Sequence, residues 1–183
     1  MTVPLRLVDV LLCCSFTLAL GPIDHSAQAA CRRMSLSVET VPQAGKLPPA
    51  ISALDLDGRR QELAQYAGRV VVLHFWASWC PYCRGEIPEL RKLQTDWGAK
   101  GVQVLTVSVD ENLDKLKQFV AEEALPYPVI PDVQLAISER YAIQGIPVTL
   151  ILSRDGRVAF RALGSANLIE AVQRTLDAAP SSP

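Results

Sequence analysis

From residue 50 onward, continuous apolar runs of strand length alternate with stretches whose apolar residues recur every three or four positions. The runs VVVLHF (70–75) and VQVLTVSV (102–109) have no polar face, which predicts strands buried on both sides of a sheet. After the first run, Ile87, Leu90 and Leu93 fall at helical spacing, with Gly98 predicting the end of that helix and Pro88 a kink inside it. LDKLKQFVAEEAL (113–125) reads as an amphipathic helix with Leu113, Leu116 and Phe119/Val120 on its apolar side. A short strand is predicted at 127–130, and a helix at 133–141 with Asp132 as its N-cap. ISALDLDGRRQEL (51–63) alternates apolar and polar residues around Asp57-Gly58, a strong hairpin signal, and VTLIL and VAFRAL flank SRDG as a second hairpin. SANLIEAVQRTLDAA (165–179) closes the domain as a helix capped by Ser165 or Asn167. Strands that alternate with helices and finish on an antiparallel pair predict a three-layer α/β/α sandwich around a mixed sheet.

The first thirty residues have a different pattern: Arg6, an apolar stretch of eleven residues at 10–20, and the small-residue run SAQAA ending at Ala30. This is the composition of an export signal, with Ala27 and Ala29 forming an A-x-A cleavage site. Retention as a membrane anchor is the alternative, although about 20 apolar residues are needed to span a bilayer. Cys31 directly follows Ala30, so a lipid on a processed N-terminal cysteine is a second route to a membrane tether; Gln28 stands where such signals usually carry a Leu-like residue. Residues 31–49, with Pro42, Gly45, Pro48 and Pro49, read as a linker or extended lead-in, and 50–179 as the folded domain. The expected location is periplasmic or otherwise extracytoplasmic. Without residues 1–30, Lys+Arg falls from 18 to 17 and Asp+Glu from 19 to 17, so the remainder is formally neutral. No basic stripe is present, which argues against nucleic acid as a partner.

Candidate chemistry concentrates in FWASWCPYCRGEIPEL (75–90). Cys80 and Cys83 are the only cysteines of the predicted domain, and export permits them to form a disulfide. A structural zinc site commonly needs four ligands, but the chain has no second cysteine pair and only His25 and His74, so no metal is expected. Haem attachment needs His after the second cysteine, and residue 84 is Arg. An inert staple across so short a loop would stabilise weakly, because the effect grows with loop length. A dithiol at a helix start is better suited to electron exchange, since unpaired N–H groups and the helix dipole favour thiolate over thiol. On this reading Cys80 is the exposed nucleophile and Cys83, about one turn on, the shielded resolving thiol. The redox-active pair itself is the only expected cofactor.

FWASWCPYC, Pro88 eight residues after Cys80, and GIPVT at 145–149 together resemble the thioredoxin superfamily, and export resembles its TlpA/ResA-type branch of extracytoplasmic thiol-disulfide oxidoreductases. The resemblance covers roughly residues 50–179. It implies a thioredoxin-like fold with a helix–strand insertion, about 113–131, between the Cys-x-x-Cys motif and a cis proline at Pro147. It implies that Ile146 and Pro147 lie against the cysteines and that the Ile146 backbone pairs with an extended substrate segment. Glu86 matches an acidic residue that many members keep near the buried cysteine to exchange its proton. Trp79, Pro81 and Tyr82 are expected to face substrate, while Trp76 belongs to the core. His74 stands where thioredoxins keep a buried Asp; it either accepts a proton in its place or fills the core. The implied partners are exported proteins with disulfides, apocytochrome c among them, and a thiol-disulfide electron donor in the membrane. The implied activity is disulfide reduction, with a disulfide-forming oxidase or a non-catalytic binding protein as alternatives. Peroxidases of this fold use a lone cysteine in a Thr-x-x-x-x-Cys context, which is absent before Cys80.

Overall fold

A computed structural model describes residues 41–178. The predicted signal (1–30), Cys31 and residues 32–40 lie outside the described residues. The elements in chain order are β1 (Ser52–Leu54), β2 (Arg60–Glu62), a 3-10 turn (Leu63–Tyr66), β3 (Val70–Trp76), α1 (Pro81–Trp97), β4 (Val102–Ser108), α2 (Leu113–Glu123), β5 (Val129–Pro131), α3 (Ala136–Arg140), β6 (Val148–Leu152), β7 (Val158–Leu163) and α4 (Leu168–Asp177). The main sheet has the order β5-β4-β3-β6-β7. β3, β4 and β5 run parallel, β6 is antiparallel to β3, and β7 is antiparallel to β6. This is the expected mixed sheet, and α2 with β5 supplies the helix–strand addition on its outer edge.

All seven residues of β3 and all seven of β4 are buried, because both faces of the sheet are covered. Alternate residues serve the two layers. Val70, Val72 and Trp76 pack with Leu90 and Leu93 of α1, Leu116 of α2 and Leu168 and Val172 of α4. Val71, Leu73 and Phe75 pack on the other side with Ile51, Ile137 and Tyr141. Each such side chain, fully buried, contributes about 1.5–3 kcal/mol relative to exposure. α2 carries Leu116, Phe119 and Val120 to the core, but Leu113 is 37% exposed, because Asn112 caps the helix and leaves Leu113 in its outer first turn.

The hairpin β1–β2 forms around Asp57-Gly58, and the Asp55 carboxylate accepts from the Asp57 and Arg59 backbone N–H groups and from Gln61 Nε2. Gly98 caps the C-terminus of α1, as expected, but is not the residue that turns left-handed. It stays right-handed at φ −55, the chain continues as a 3-10 turn, and Gly101 takes the left-handed φ of 88 that reverses it into β4. α1 continues through Pro88. The helix expected at 133–141 is shorter, with Asp132 acting from outside it: its carboxylate accepts from the Ile137 and Ser138 N–H groups and from Ser138 Oγ. The Asn167 side chain, rather than Ser165, caps α4. The Gly45 N–H donates to Val158 O and the Val158 N–H donates to Lys46 O, so part of the lead-in runs along the outer edge of β7.

Candidate active site

β3 delivers the chain to Trp76, a tight turn follows, and Cys80 occupies the N-cap of α1 with extended dihedrals (φ −85, ψ 113) and Pro81 behind it. Proline suits this position because its missing N–H would have had no helical partner. The Cys80 N–H donates to Ala77 O at 3.2 Å, and Cys80 Sγ accepts from the Cys83 N–H at 3.3 Å. The same N–H is in place to stabilise a thiolate at Cys80 after reduction. The two Cα atoms are 5.3 Å apart and the sulfurs form a disulfide. Cys80 is less exposed than the sequence suggested: it retains 4% of its surface and Cys83 none. The contrast between the two cysteines is one of narrow access against none.

The turn before Cys80 is held by a residue that sequence reasoning passed over. Asp110 is 3% exposed, and its carboxylate accepts from the Ser78 N–H at 2.8 Å, Ser78 Oγ at 2.6 Å and Ser108 Oγ at 2.7 Å. β3 and β4 pair Trp76 with Ser108, and continuing that parallel register sets Ser78 beside Asp110. The signal in the sequence was an acid just past a buried strand, legible only once the two strands were known to be neighbours.

Beneath the disulfide, Glu86 lies one turn past Cys83 on the buried face of α1, 5% exposed. Its carboxyl is pushed up to about 7, first by burial and then by the like charge of Glu89, with the Ala166 backbone opposing weakly. Neither carboxyl oxygen has a hydrogen-bond partner of good geometry. His74 Nδ1 lies 3.6 Å from Glu86 Oε2, within ion-pair reach, yet burial pushes the imidazole down to about 3. His74 is therefore neutral near pH 7, and the contact is not an ion pair. Trp76 is in the core as expected, 2% exposed, with the Phe119 ring 5.8 Å away and the Arg84 guanidinium 5.2 Å over that ring. The inserted helix α2 thus packs against the motif.

Trp79 and Tyr82 lie on either side of Cys80 in sequence with 65% and 74% of their surfaces open, and Pro81 is exposed between them. The Ile146-Pro147 bond is cis. The β3–β6 pairing sets Phe75 opposite Val148, so one further step brings Pro147 level with Trp76 at the active-site end of the sheet. Ile146 is half-buried against both core clusters and Pro147 is buried. Leu163, unremarked in the sequence, is 69% exposed at the end of β7, where a Cβ on Gly145 would meet its methyl at 3.9 Å. The Gly164 N–H ties this corner to Pro147 O at 2.8 Å.

Residues 44–161 match the AhpC/TSA family. The chain belongs to that family. The thiol-disulfide oxidoreductase ResA of a Bacillus cereus strain is 32% identical over 122 residues, which span 67% of this chain and 70% of the relative. A solved structure of a putative thiol:disulfide interchange protein DsbE from Chlorobium tepidum superposes with a TM-score of 0.70 at 27% identity, covering 74% of this chain and 99% of that one. A secreted thiol-disulfide isomerase from Corynebacterium glutamicum superposes with a TM-score of 0.66 at 25% identity, covering 72% and 86%. This AhpC/TSA family member has a thioredoxin-like fold, and with its Cys80–Cys83 pair it is a thiol-disulfide oxidoreductase. Among the described residues, no helix is long and apolar enough to cross a membrane.

Proposed function

We propose that the chain works outside the cytoplasm as a reductant of disulfides in exported proteins, with haem-free cytochrome c as one substrate class. The observation that carries the direction is the makeup of the Cys-x-x-Cys spacer. Pro81 and Tyr82 bring no positive charge to hold Cys80 as a thiolate, leaving only the helix terminus and the Cys83 N–H. A dithiol whose reduced form is only moderately stabilised gives up electrons readily.

The Cys80 thiolate attacks one sulfur of a substrate disulfide, the other substrate sulfur leaves as a thiolate, and a mixed disulfide forms. Cys83 then loses its proton to the Glu86 carboxylate and attacks Cys80 Sγ, and the remaining substrate sulfur leaves. Two electrons have passed to the substrate, and the Cys80–Cys83 disulfide of the structure is the oxidised product. A carboxyl poised at about 7 can both accept and return that proton. Trp79, Pro81, Tyr82 and the Ile146–Pro147 corner form the surface that receives the substrate, with the Ile146 backbone available for strand-like pairing. No cofactor beyond the two sulfurs is needed for this exchange. Regeneration calls for a dithiol donor whose electrons cross the membrane.

Equilibration of the purified chain with glutathione or dithiothreitol buffers is expected to return a potential below about −200 mV, toward thioredoxin at about −270 mV. A value near the roughly −120 mV of DsbA would replace the reductase with a disulfide-forming oxidase.

The extracytoplasmic assignment rests on the pattern of residues 1–30 and is supported by the secreted relative. Protein recovered from the exported fraction is expected to begin at Ala30 or Cys31 by mass spectrometry. An intact Met1 there would show a retained anchor instead.

A further inference from the structure

The pairing of β3 with β6 sets His74 opposite Thr149, and both side chains are buried. His74 Nδ1 is 2.9 Å from Thr149 Oγ1 and 3.6 Å from Glu86 Oε2, whereas Nε2 is buried without a partner. A neutral imidazole carries one ring proton. On Nε2 it would be a buried N–H with no acceptor; on Nδ1 it has Thr149 Oγ1, and only a lone pair is left unpaired. Orphaned buried N–H groups are rarer than under-satisfied acceptors, so the surroundings select the Nδ1–H tautomer. That N–H faces two oxygens, the hydroxyl in contact and the carboxyl slightly beyond.

The surroundings of Glu86 give this contact its significance. Glu89 on the same helix opposes ionisation, Ala166 offers backbone only, and Cys83 lies one turn back. Among the described residues no lysine or arginine pairs with Glu86. An ionised Glu86 would be a buried charge supported only by the Ala166 backbone unless His74 turned to it.

We propose that His74 is a positioning residue for Glu86: an imidazole whose Nδ1–H is shared between Thr149 and Glu86 and swings to the carboxylate when Glu86 ionises. The two alternatives open in the sequence thus resolve into a third. His74 is a core residue that accepts no proton and instead donates a hydrogen bond to the group that does. Its meaning for catalysis rests on the proposed exchange of a proton between Glu86 and Cys83. Its test reads Glu86 directly and so stands apart from that reading.

The experiment follows the Glu86 side-chain carboxyl by carbon NMR across pH in the full chain with the disulfide formed, the signal being assigned with Glu86→Gln. In the unsubstituted protein the midpoint is expected near 7. His74→Leu removes the donor to the charged form and is expected to raise the midpoint by about one pH unit. His74→Asn keeps an N–H near the Nδ1 position and should restore most of the difference. Thr149→Val removes the competing acceptor, leaves the N–H to the carboxylate alone and should lower the midpoint. A purely structural role would admit water in every variant and lower the midpoint in all of them. Shifts of the same sign in His74→Leu and Thr149→Val, or none in either, would overturn the proposal. If His74→Leu fails to fold, Thr149→Val and His74→Asn decide together: a lowered midpoint in Thr149→Val with an unchanged or slightly raised one in His74→Asn supports the proposal, and a lowered midpoint in both, or an unchanged or raised one in Thr149→Val, overturns it. Should the midpoints move as expected while the rate of the resolving step does not follow them, His74 keeps its role and the proton exchange with Cys83 is what fails.

Discussion

Cys83→Ser is expected to accumulate mixed disulfides between Cys80 and substrate proteins, and Cys80→Ser to accumulate none, with multiple turnover abolished in both. Cys80 is the only one of the two cysteines with any solvent access, it caps α1, and its Sγ already receives the Cys83 N–H. Trp79 and Tyr82, its exposed neighbours in sequence, are available to meet an incoming disulfide. Cys83 is fully buried and can attack only a sulfur that has been brought to it, namely that of Cys80. With serine at 83 the mixed disulfide has no internal thiol to resolve it, so it persists. Non-reducing electrophoresis followed by mass spectrometry of the adducts checks the assignment. Adducts through Cys83 in the Cys80→Ser protein would reverse the two roles.

The largest loss of stability from a single site near the motif is expected at Asp110. Asp110→Ala removes the acceptor for three donors in buried or partly buried positions: the Ser78 N–H, Ser78 Oγ and Ser108 Oγ. Hydrogen bonds to a charged group are individually strong, and the donors left behind keep their desolvation penalty, so the expected cost is about 3 kcal/mol or more. For a domain of this size that lowers the melting temperature by roughly 10 °C. Asp110→Asn retains one acceptor oxygen and should lose less. The neighbouring exposed Glu111→Ala should stay within about 0.5 kcal/mol of the unsubstituted protein. Thermal unfolding of the three variants tests the ranking. Equal losses at Asp110 and Glu111 would remove Asp110 as the clamp of the turn. Because this turn sets the position of Cys80, the Asp110→Ala protein should also form its mixed disulfide more slowly.

The redox motif was legible without coordinates because its chemistry is local. Two cysteines three residues apart, at the junction of an apolar run and a helical pattern, can bring their sulfurs together without help from distant chain. The strands β3 and β4 were equally legible, since burial on both faces leaves an uninterrupted apolar run. Pro147 was marked by its sequence context, and the bond before it is cis in the structure. Boundaries were less legible. Gly98 and Gly101 are both glycines near a helix end, and which of them turns left-handed depends on where β4 must begin. Asp132 was read as a helix cap from its neighbours in sequence, but its carboxylate reaches five and six residues ahead, to Ile137 and Ser138, across a loop that has no period.

What the sequence determined by itself was therefore the set of interactions between residues close along the chain: the period of each element, the hairpins, and the placing of Cys80 at a helix start. Only the tertiary structure decided that Asp110 clamps the turn at Ser78, that Leu163 stands beside Gly145, and that His74 meets both Glu86 and Thr149 in the interior. Each of these contacts joins segments brought together by sheet register, and hydrophobic pattern specifies which face of a strand is buried without specifying which strand lies beside it. The protonation of Glu86 and His74 belongs to the same class, because it depends on removal from water and on the charges that remain nearby, and neither is defined until the chain has closed around them.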